Sequence, residues 1–127
     1  MLMHPSSRGS VHIQSADYRT LPRVDPAYFV NLSDLEITKL GVKHVLKLAE
    51  TESWKKVAQK CLLYDDLDKE AKDPIGDYCR EWLGTTFHWL GTAAMLPREK
   101  GGVVDSRLKV YGVSNLRVVR SYLSLSS

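Results

Sequence analysis

The sequence lacks most of the patterns that assign a chemistry directly. Its two cysteines, Cys61 and Cys79, have neither the CxxC spacing nor the partner residues of a zinc site. No apolar run approaches the roughly 18 residues of a membrane span, and the first residues show no signal-peptide apolar region. A Gly-x-Ser-x-Gly elbow, a phosphate-binding loop and a complete Gly-x-Gly-x-x-Gly are missing too. Any activity must therefore be inferred from other residues.

The chain also has little excess charge. Its 127 residues carry a formal net charge of +3, with 43% hydrophobic and 26% charged residues. These values are typical of one globular domain with its own core. Between Lys55 and Lys72 the basic residues are interleaved with acids, which indicates solvated helix faces rather than a nucleic-acid-binding surface. We therefore expect no nucleic-acid partner and no membrane span.

Cysteine and histidine offer few candidate ligands. The two thiols are interpreted as buried and free, although their spacing leaves a disulfide open. The histidines His4, His12 and His44 read as exposed, and none is paired with a carboxylate at ligand spacing, so no metal site is expected. His88 lies between two aromatic residues, a setting more typical of a hydrogen-bonded core residue than of a base.

Residue patterns predict several short strands. Gly9–Gln14 alternates apolar and polar residues, as in a half-buried strand with Val11 and Ile13 inward. The prolines of residues 17–26 predict an extended connection with a short edge strand. β-Branched and aromatic residues predict further strands at Thr85–Leu90, Leu108–Tyr111 and Leu116–Val119, with a loop at Pro97–Gly102.

Three helices are predicted between these strands. Ser33 and Glu36 have the spacing of a capping box, with Ser33 as N-cap of a helix that runs to about Thr51. A second helix is expected at Trp54–Leu63, followed by a charged linker at residues 65–72. Asp73 followed by Pro74 predicts the start of the third helix. Its apolar stripe is Ile75, Tyr78, Cys79, Trp82 and Leu83, with Gly84 as its C-terminal cap, and the first helix's stripe is Leu40, Val45, Leu48 and Ala49.

Four ordered motifs resemble one enzyme family over most of the chain. They are the Pro5–Val11 segment P-S-S-R-G-S-V, the Leu21–Phe29 segment, the H-x-x-G-T-x-x-M form of His88–Met95, and Val103–Asp105 with the Tyr111–Val119 run. These segments resemble the C-terminal part of the glucose–methanol–choline oxidoreductases. The likeness is greatest to the fungal aryl-alcohol-oxidase type.

The resemblance implies an FAD-dependent enzyme that oxidises the CH–OH group of a small alcohol. His88 corresponds to the family's base, which takes the hydroxyl proton as hydride leaves for flavin N5. Phe87 corresponds to an aromatic residue that lines the substrate pocket. Arg8 and Gly9 read as structural, the arginine bracing the sheet and the glycine permitting a close backbone approach.

The chain departs from the family pattern in three respects. The family's dinucleotide-binding fingerprint is missing, Arg120–Tyr122 replaces an acidic segment that touches the cofactor, and a second active-site His or Asn has no counterpart. We therefore expect that the chain alone holds no FAD and has no turnover. The Leu116–Val119 strand resembles one from the FAD domain's sheet, so we also expect an unpaired edge and low stability.

The fold expected from these observations is α+β, a mostly antiparallel sheet flanked by helices, in truncated form. Residues 1–119 resemble the family's C-terminal domain, with 1–95 like the substrate-binding domain, 107–119 like part of the FAD domain, and 120–127 a divergent tail. Two alternatives remain open. The chain is either a non-catalytic truncated or mis-assembled gene product, or an interaction module that presents its apolar surface to another chain.

Overall fold

The computed structural model describes residues 2–58, 60–87 and 91–119. It is an α+β structure, as the sequence predicts, and divides into two compact units, Met1–Gly84 and Thr85–Ser127. The elements are strands β1 (Ser10–His12) and β2 (Arg23–Asp25) and helices α1 (Leu32–Ala49), α2 (Glu52–Lys55) and α3 (Pro74–Glu81), with 3-10 turns at Leu62–Tyr64 and Arg98–Lys100.

Strands β1 and β2 form an antiparallel pair with Val11 opposite Val24. Both strands lie inside the segments predicted to be extended. Gly9 precedes β1 where the chain passes close to β2, and a Cβ atom there would lie 2.2 Å from the Asp25 carbonyl oxygen. The expected role of Gly9 is therefore confirmed. The half-buried character of β1 is wrong: Val11 is exposed and Ile13 is 88% exposed, because no described layer of structure covers the pair.

The Arg8 guanidinium does not brace the sheet, which was the role expected for it. Its Nη1 donates hydrogen bonds to the carbonyl oxygens of Pro5 and Ser7, which precede the sheet. Arg8 therefore stabilises the turn that leads into β1, rather than bracing the strands. Its role is structural, as expected, but its target is the local backbone.

The N-cap of helix α1 lies two residues before the predicted one. Asn31 is the N-cap, and its Oδ1 accepts hydrogen bonds from the Ser33 backbone amide at 3.0 Å and from the Ser33 hydroxyl at 2.7 Å. Ser33 is the second residue of the helix, so it lies inside α1 and is not its cap. The helix ends at Ala49, close to the predicted end at Thr51.

The buried side of α1 differs from the predicted stripe. Leu35 is 3% exposed, whereas Leu40, Val45 and Leu48 are all exposed. The predicted stripe used the apolar residues on one side of α1, but the helix has apolar residues on two sides. Packing against α3 buries the side that contains Leu35.

The second predicted helix is mostly wrong. Only Glu52–Lys55 is α-helical, with Thr51 as its N-cap, and Leu62–Tyr64 forms a 3-10 turn. Residue 59 lies outside the described residues. The charged linker that follows forms turns, as expected.

Helix α3 confirms its predicted start. Asp73 caps it by accepting a hydrogen bond from the Gly76 amide at 3.2 Å, and Pro74 occupies the first position. The helix ends at Glu81 with Trp82 as C-cap, so the predicted Gly84 cap is wrong. Cys79 is buried, as predicted, but Trp82 of the predicted stripe is largely exposed.

The second unit contains isolated bridges instead of the predicted strands. Thr85–Phe87 forms no strand, and the rest of that predicted strand, residues 88–90, lies outside the described residues. Val110 donates to the Leu116 carbonyl at 3.0 Å, and Val118 donates to the Leu108 carbonyl at 3.2 Å. The expectation that Leu116–Val119 has no partner in this chain is therefore wrong, because a turn through Gly112, with a φ of 81°, folds it back onto residues 108–110.

The Pro97–Gly102 loop is confirmed, with a 3-10 turn at Arg98–Lys100 inside it. Gly101 closes the turn with a φ of 81°. None of the helices in the described part of the chain is long and apolar enough to span a membrane.

Candidate active site

The candidate site begins on an irregular, strained segment. Phe87 has a φ of 61°, and its side chain is 70% exposed. The left-handed conformation costs an L-residue with a bulky side chain about 1–2 kcal/mol. The Phe87 amide donates to the Thr85 hydroxyl oxygen at 3.0 Å, which supports the turn. Strain of this kind concentrates at functional sites, so the segment is a reasonable place for a reactive side chain.

His88, the proposed base, lies outside the described residues together with residues 89 and 90. The chain continues at Gly91, which has a φ of 93°. A Cβ atom at Gly91 would have no neighbour within 4 Å, so its conformation, and not crowding, requires glycine there. Left-handed residues therefore stand on both sides of the histidine in the sequence.

The end of the H-x-x-G-T-x-x-M motif is firmly anchored. Ala94 accepts hydrogen bonds from the Val103 amide at 2.9 Å and from the Val104 amide at 3.3 Å, and Met95 forms a parallel bridge with Val104. Val104 is fully buried. The Tyr111 hydroxyl donates to the Leu96 carbonyl at 3.1 Å. The Val103–Asp105 motif therefore holds the last residues of the histidine motif in place.

Asp105 organises the turn behind this anchor. Its Oδ1 accepts hydrogen bonds from the backbone amides of Lys109 at 3.0 Å and Arg107 at 2.8 Å. The Lys109 amide, then the Arg107 amide, and then the positive side chains of both residues hold the pKa of Asp105 below its ordinary value. This carboxylate has a structural partner set and is not a candidate base.

Asp34, which the sequence analysis missed, anchors the first family motif. The backbone amides of Ser6 and Ser7 each donate to its carboxylate at 2.7 Å, and the Ser7 hydroxyl donates as well. Asp34 is only 2% exposed. The hydrogen bonds from Ser7 and Ser6 lower its pKa although burial opposes them. No local signal identifies it, because its partners lie 27 and 28 residues earlier in the chain.

Among the described residues, the other histidines and carboxylates are not arranged as metal ligands. His4, His12 and His44 are all exposed, as predicted. Over the described ranges, no three His, Cys, Asp or Glu side chains converge as a metal site would require. Cys61 and Cys79 are free thiols, as interpreted from the sequence, but only Cys79 is buried and the expected burial of Cys61 is wrong.

The described residues do not fit FAD by themselves. A cofactor of this size requires an enclosing site that removes most of its surface from water. The depression of about 490 Å³ over β1 and β2 is open. The six residues that line it are exposed: Ser10, His12, Ile13, Gln14, Arg23 and Asp25. No step of a reaction can therefore be assigned to FAD held by these residues alone.

Comparison with known proteins identifies the family. The family model described as GMC oxidoreductase matches residues 5–121, which include all four motifs. The chain belongs to the GMC oxidoreductase family. Within the family it corresponds to the C-terminal part, and the complete family proteins use FAD.

Several curated relatives are similar over almost the whole chain. A GMC oxidoreductase family protein, Mala s 12 of Malassezia sympodialis, is 41% identical over 93% of this chain and 19% of its own length. A glucose oxidase-like protein of Humicola fuscoatra is 36% identical over 92% of this chain and 20% of its own. A glucose oxidase of Aspergillus carbonarius is 36% identical over 91% of this chain and 20% of its own length. The chain thus spans about a fifth of the length of these relatives.

Proposed function

We propose that this chain acts as the C-terminal part of an FAD-dependent oxidoreductase that oxidises the CH–OH group of a small alcohol. The observation that carries the proposal is the family match over residues 5–121, because it includes the histidine motif and the segment that anchors it. The relatives named glucose oxidases support a sugar hydroxyl as one candidate substrate. The similarity to the aryl-alcohol-oxidase type supports a primary alcohol as another.

In this proposal His88 accepts the hydroxyl proton. A histidine has an ordinary pKa of about 6.5, so its neutral form is available as a base near neutral pH. Loss of the hydroxyl proton builds negative charge on oxygen and weakens the carbinol C–H bond. FAD, when the complete family site holds it, supplies the acceptor for the two electrons. In the proposal Phe87 lines the substrate site, and its side chain is 70% exposed.

We further propose that the chain has no turnover alone. The open depression on the described surface supports this, as does the fifth of the relatives' length that the chain covers. Purified chain mixed with excess FAD should emerge from gel filtration without a flavin absorption band. Stoichiometric retention of flavin would contradict this part of the proposal.

The role of His88 is testable in a chimera. Residues 5–121 of this chain would replace the matching segment of the Malassezia relative, and alcohol oxidation would be measured. We expect His88→Ala to lower kcat by roughly 10²–10⁴-fold. It should also remove the loss of rate that protonation of the base causes on acidification. His44→Ala is the matched control, since His44 is exposed on α1.

The substrate contact has its own variant. Phe87→Ala should raise KM for the alcohol more than it changes kcat, because a lining residue contributes mainly to binding. If the His88→Ala chimera retained the full kcat, His88 would not be the base.

An interaction module is the second candidate function. The specific observation in its favour is the number of large apolar side chains exposed on the first unit, on α1 above all. In a pull-down with the purified chain, recovery of one specific partner would support this candidate. Recovery of chaperones alone would reject it.

A further inference from the structure

Asn31, the N-cap of α1, is also the first residue of a short modification motif. Together with Leu32 and Ser33 it has the form Asn-x-Ser, with x other than proline, which is the acceptor motif for asparagine-linked glycosylation. The other asparagine of the chain, Asn115, has an arginine two residues later and lacks the motif. A three-residue motif is common by chance, so the surroundings of Asn31 decide whether its side chain suits a glycan.

The structure brings the two polar side chains of the motif together. Oδ1 of Asn31 accepts hydrogen bonds from the Ser33 backbone amide at 3.0 Å and from the Ser33 hydroxyl at 2.7 Å, which is an Asx turn. The Asn31 backbone is held as well. Its amide donates to the Ser7 hydroxyl oxygen at 3.1 Å, and its carbonyl accepts from the Asp34 amide at 3.1 Å. The acceptor asparagine therefore has a defined orientation.

The side-chain nitrogen of Asn31 is the atom that a glycan would occupy. A backbone amide only donates, so the oxygen of the Asn31 side chain must face the Ser33 amide, and Nδ2 lies on the other branch. Within residues 2–58, 60–87 and 91–119, Nδ2 donates to no other group. Asn31 is exposed, and the neighbouring Val30 and Leu32 are 75% and 68% exposed. A large substituent on Nδ2 therefore breaks no hydrogen bond of the described residues.

We propose that Asn31 is the acceptor of an asparagine-linked oligosaccharide. In the transfer, Nδ2 of Asn31 loses one proton and forms a bond to the anomeric carbon of the first sugar. The bond from that carbon to the diphosphate of a lipid-linked oligosaccharide breaks, and the lipid diphosphate leaves with the electron pair. The product is still an amide with its oxygen intact, so the glycosylated residue continues to cap α1. The proposal is independent of the oxidoreductase chemistry, and it implies that the chain passes through the lumen of the secretory pathway.

The first test is translation of the full chain, with a cleavable secretory leader added, in the presence of microsomes that contain the lipid-linked donor. We expect one slower band on gel electrophoresis, which peptide-N-glycosidase removes. Asn31→Gln should abolish the slower band, whereas the matched control Asn115→Gln should retain it. Failure of the chain to enter the microsomes, or a protease-protected chain without the slower band, would overturn the proposal.

Two variants of Ser33 separate the motif from the capping contact. Ser33→Ala removes the hydroxyl that the motif requires but keeps the backbone amide that Asn31 caps, so it should lose the slower band completely. Ser33→Thr restores a hydroxyl and should recover the band. A slower band that persists in Ser33→Ala would reject Asn31 as the acceptor.

The second test uses the protein isolated from its natural source. Trypsin releases Asn31 within the peptide Val24–Lys39, because no other Lys or Arg lies inside that range. Peptide-N-glycosidase converts a glycosylated asparagine to aspartate. In water labelled with heavy oxygen, the treated peptide should therefore contain a labelled aspartate at position 31, which mass spectrometry detects. A peptide that is unmodified before treatment and unlabelled after it would overturn the proposal.

Discussion

Lys39 in α1 donates a hydrogen bond across 2.9 Å to Asp73, the residue that caps α3. Asp73 uses its other oxygen to accept from the Gly76 amide, so one carboxylate both starts a helix and joins it to its neighbour. The Lys39 ammonium holds the pKa of Asp73 below its ordinary value. The same contact, followed by that with Glu36, raises the pKa of Lys39.

We predict that Lys39→Met lowers the Tm by a few degrees although it keeps most of the apolar stem in place. The loss arises because the Asp73 carboxylate then has no cation beside it. Lys43→Met, which removes a charge from an exposed position of the same helix, should leave the Tm unchanged. Thermal melts followed by circular dichroism measure both variants, and equal effects would reject the link between α1 and α3.

Stability should be lost at both extremes of pH. The folded-state pKa values of Asp34 and Asp105 are lowered, so their contributions are present above the unfolded-state value of about 3.9 and disappear as the pH falls through the folded values. Lys39 and Lys60 have raised values. Their contributions are complete below about pH 10.4 and are lost as the pH rises further.

Asp34→Asn tests the acid limb of this dependence. The variant should be less stable at neutral pH and lose less further stability on acidification, because it cannot be protonated. Asp17→Asn is a control, as Asp17 is exposed and bonds only in its own turn. Helical signal is measured against pH. An acid transition in Asp34→Asn identical to that of the parent would contradict the assignment.

Two glycines should respond oppositely to alanine. Gly9→Ala places a methyl group 2.2 Å from the Asp25 carbonyl oxygen and should separate β1 from β2. Gly41→Ala adds a methyl group where nothing lies within 4 Å, inside a helix, and should stabilise the chain by about 0.5–1 kcal/mol. Urea unfolding measures the two changes, and a destabilising Gly41→Ala would contradict the open space around this position.

Val104→Ala should destabilise the second unit by roughly 2 kcal/mol, because Val104 is fully buried between the histidine motif and Val110. Val113→Ala, at a half-exposed valine, should change stability by no more than about 0.5 kcal/mol. Hydrogen exchange at the amides of Val103 and Val104 localises the effect. Unchanged protection in Val104→Ala would reject the anchor.

The two thiols should react at different rates. Cys79 is buried, and burial raises the pKa of its thiol, so little thiolate is available. Cys61 is half-buried. A thiol reagent should therefore modify one cysteine quickly and the other only as the first unit opens. Cys61→Ser should remove the fast phase, whereas two equal fast phases would show that α3 does not bury Cys79.

The sequence predicted the elements whose signals are local. Asp73 followed by Pro74 indicates a helix start from neighbouring residues alone, and helix α3 begins at Pro74 in the structure. The α1 cap was misplaced because Asn31 and Ser33 are both good N-cap residues two positions apart, and in the structure the Asn31 side chain accepts from the Ser33 amide. Which face of α1 is buried depends on where α3 packs, and helical periodicity contains no information on that.

The site was less predictable than the fold, because contacts between distant parts of the sequence leave no local signal. His88 became a candidate through resemblance alone, and its role stays a proposal. Asp34 makes contacts 27 and 28 residues away, which no spacing rule detects. The pairing of Leu116–Val119 with residues 108–110 was missed because family resemblance assigned that strand to another sheet.

The Asp34 carboxylate also determines which segments of the first unit can change in length without moving helix α1. By holding Ser6 and Ser7, it closes a loop of chain that contains both strands and returns to the start of α1. Insertions or deletions between β1 and β2 are absorbed inside that closed loop and leave the direction of α1 unchanged. A change of length at residues 13–22 should therefore leave the helix in place, whereas a single residue added between Ser7 and Gly9 should shift the register of β1.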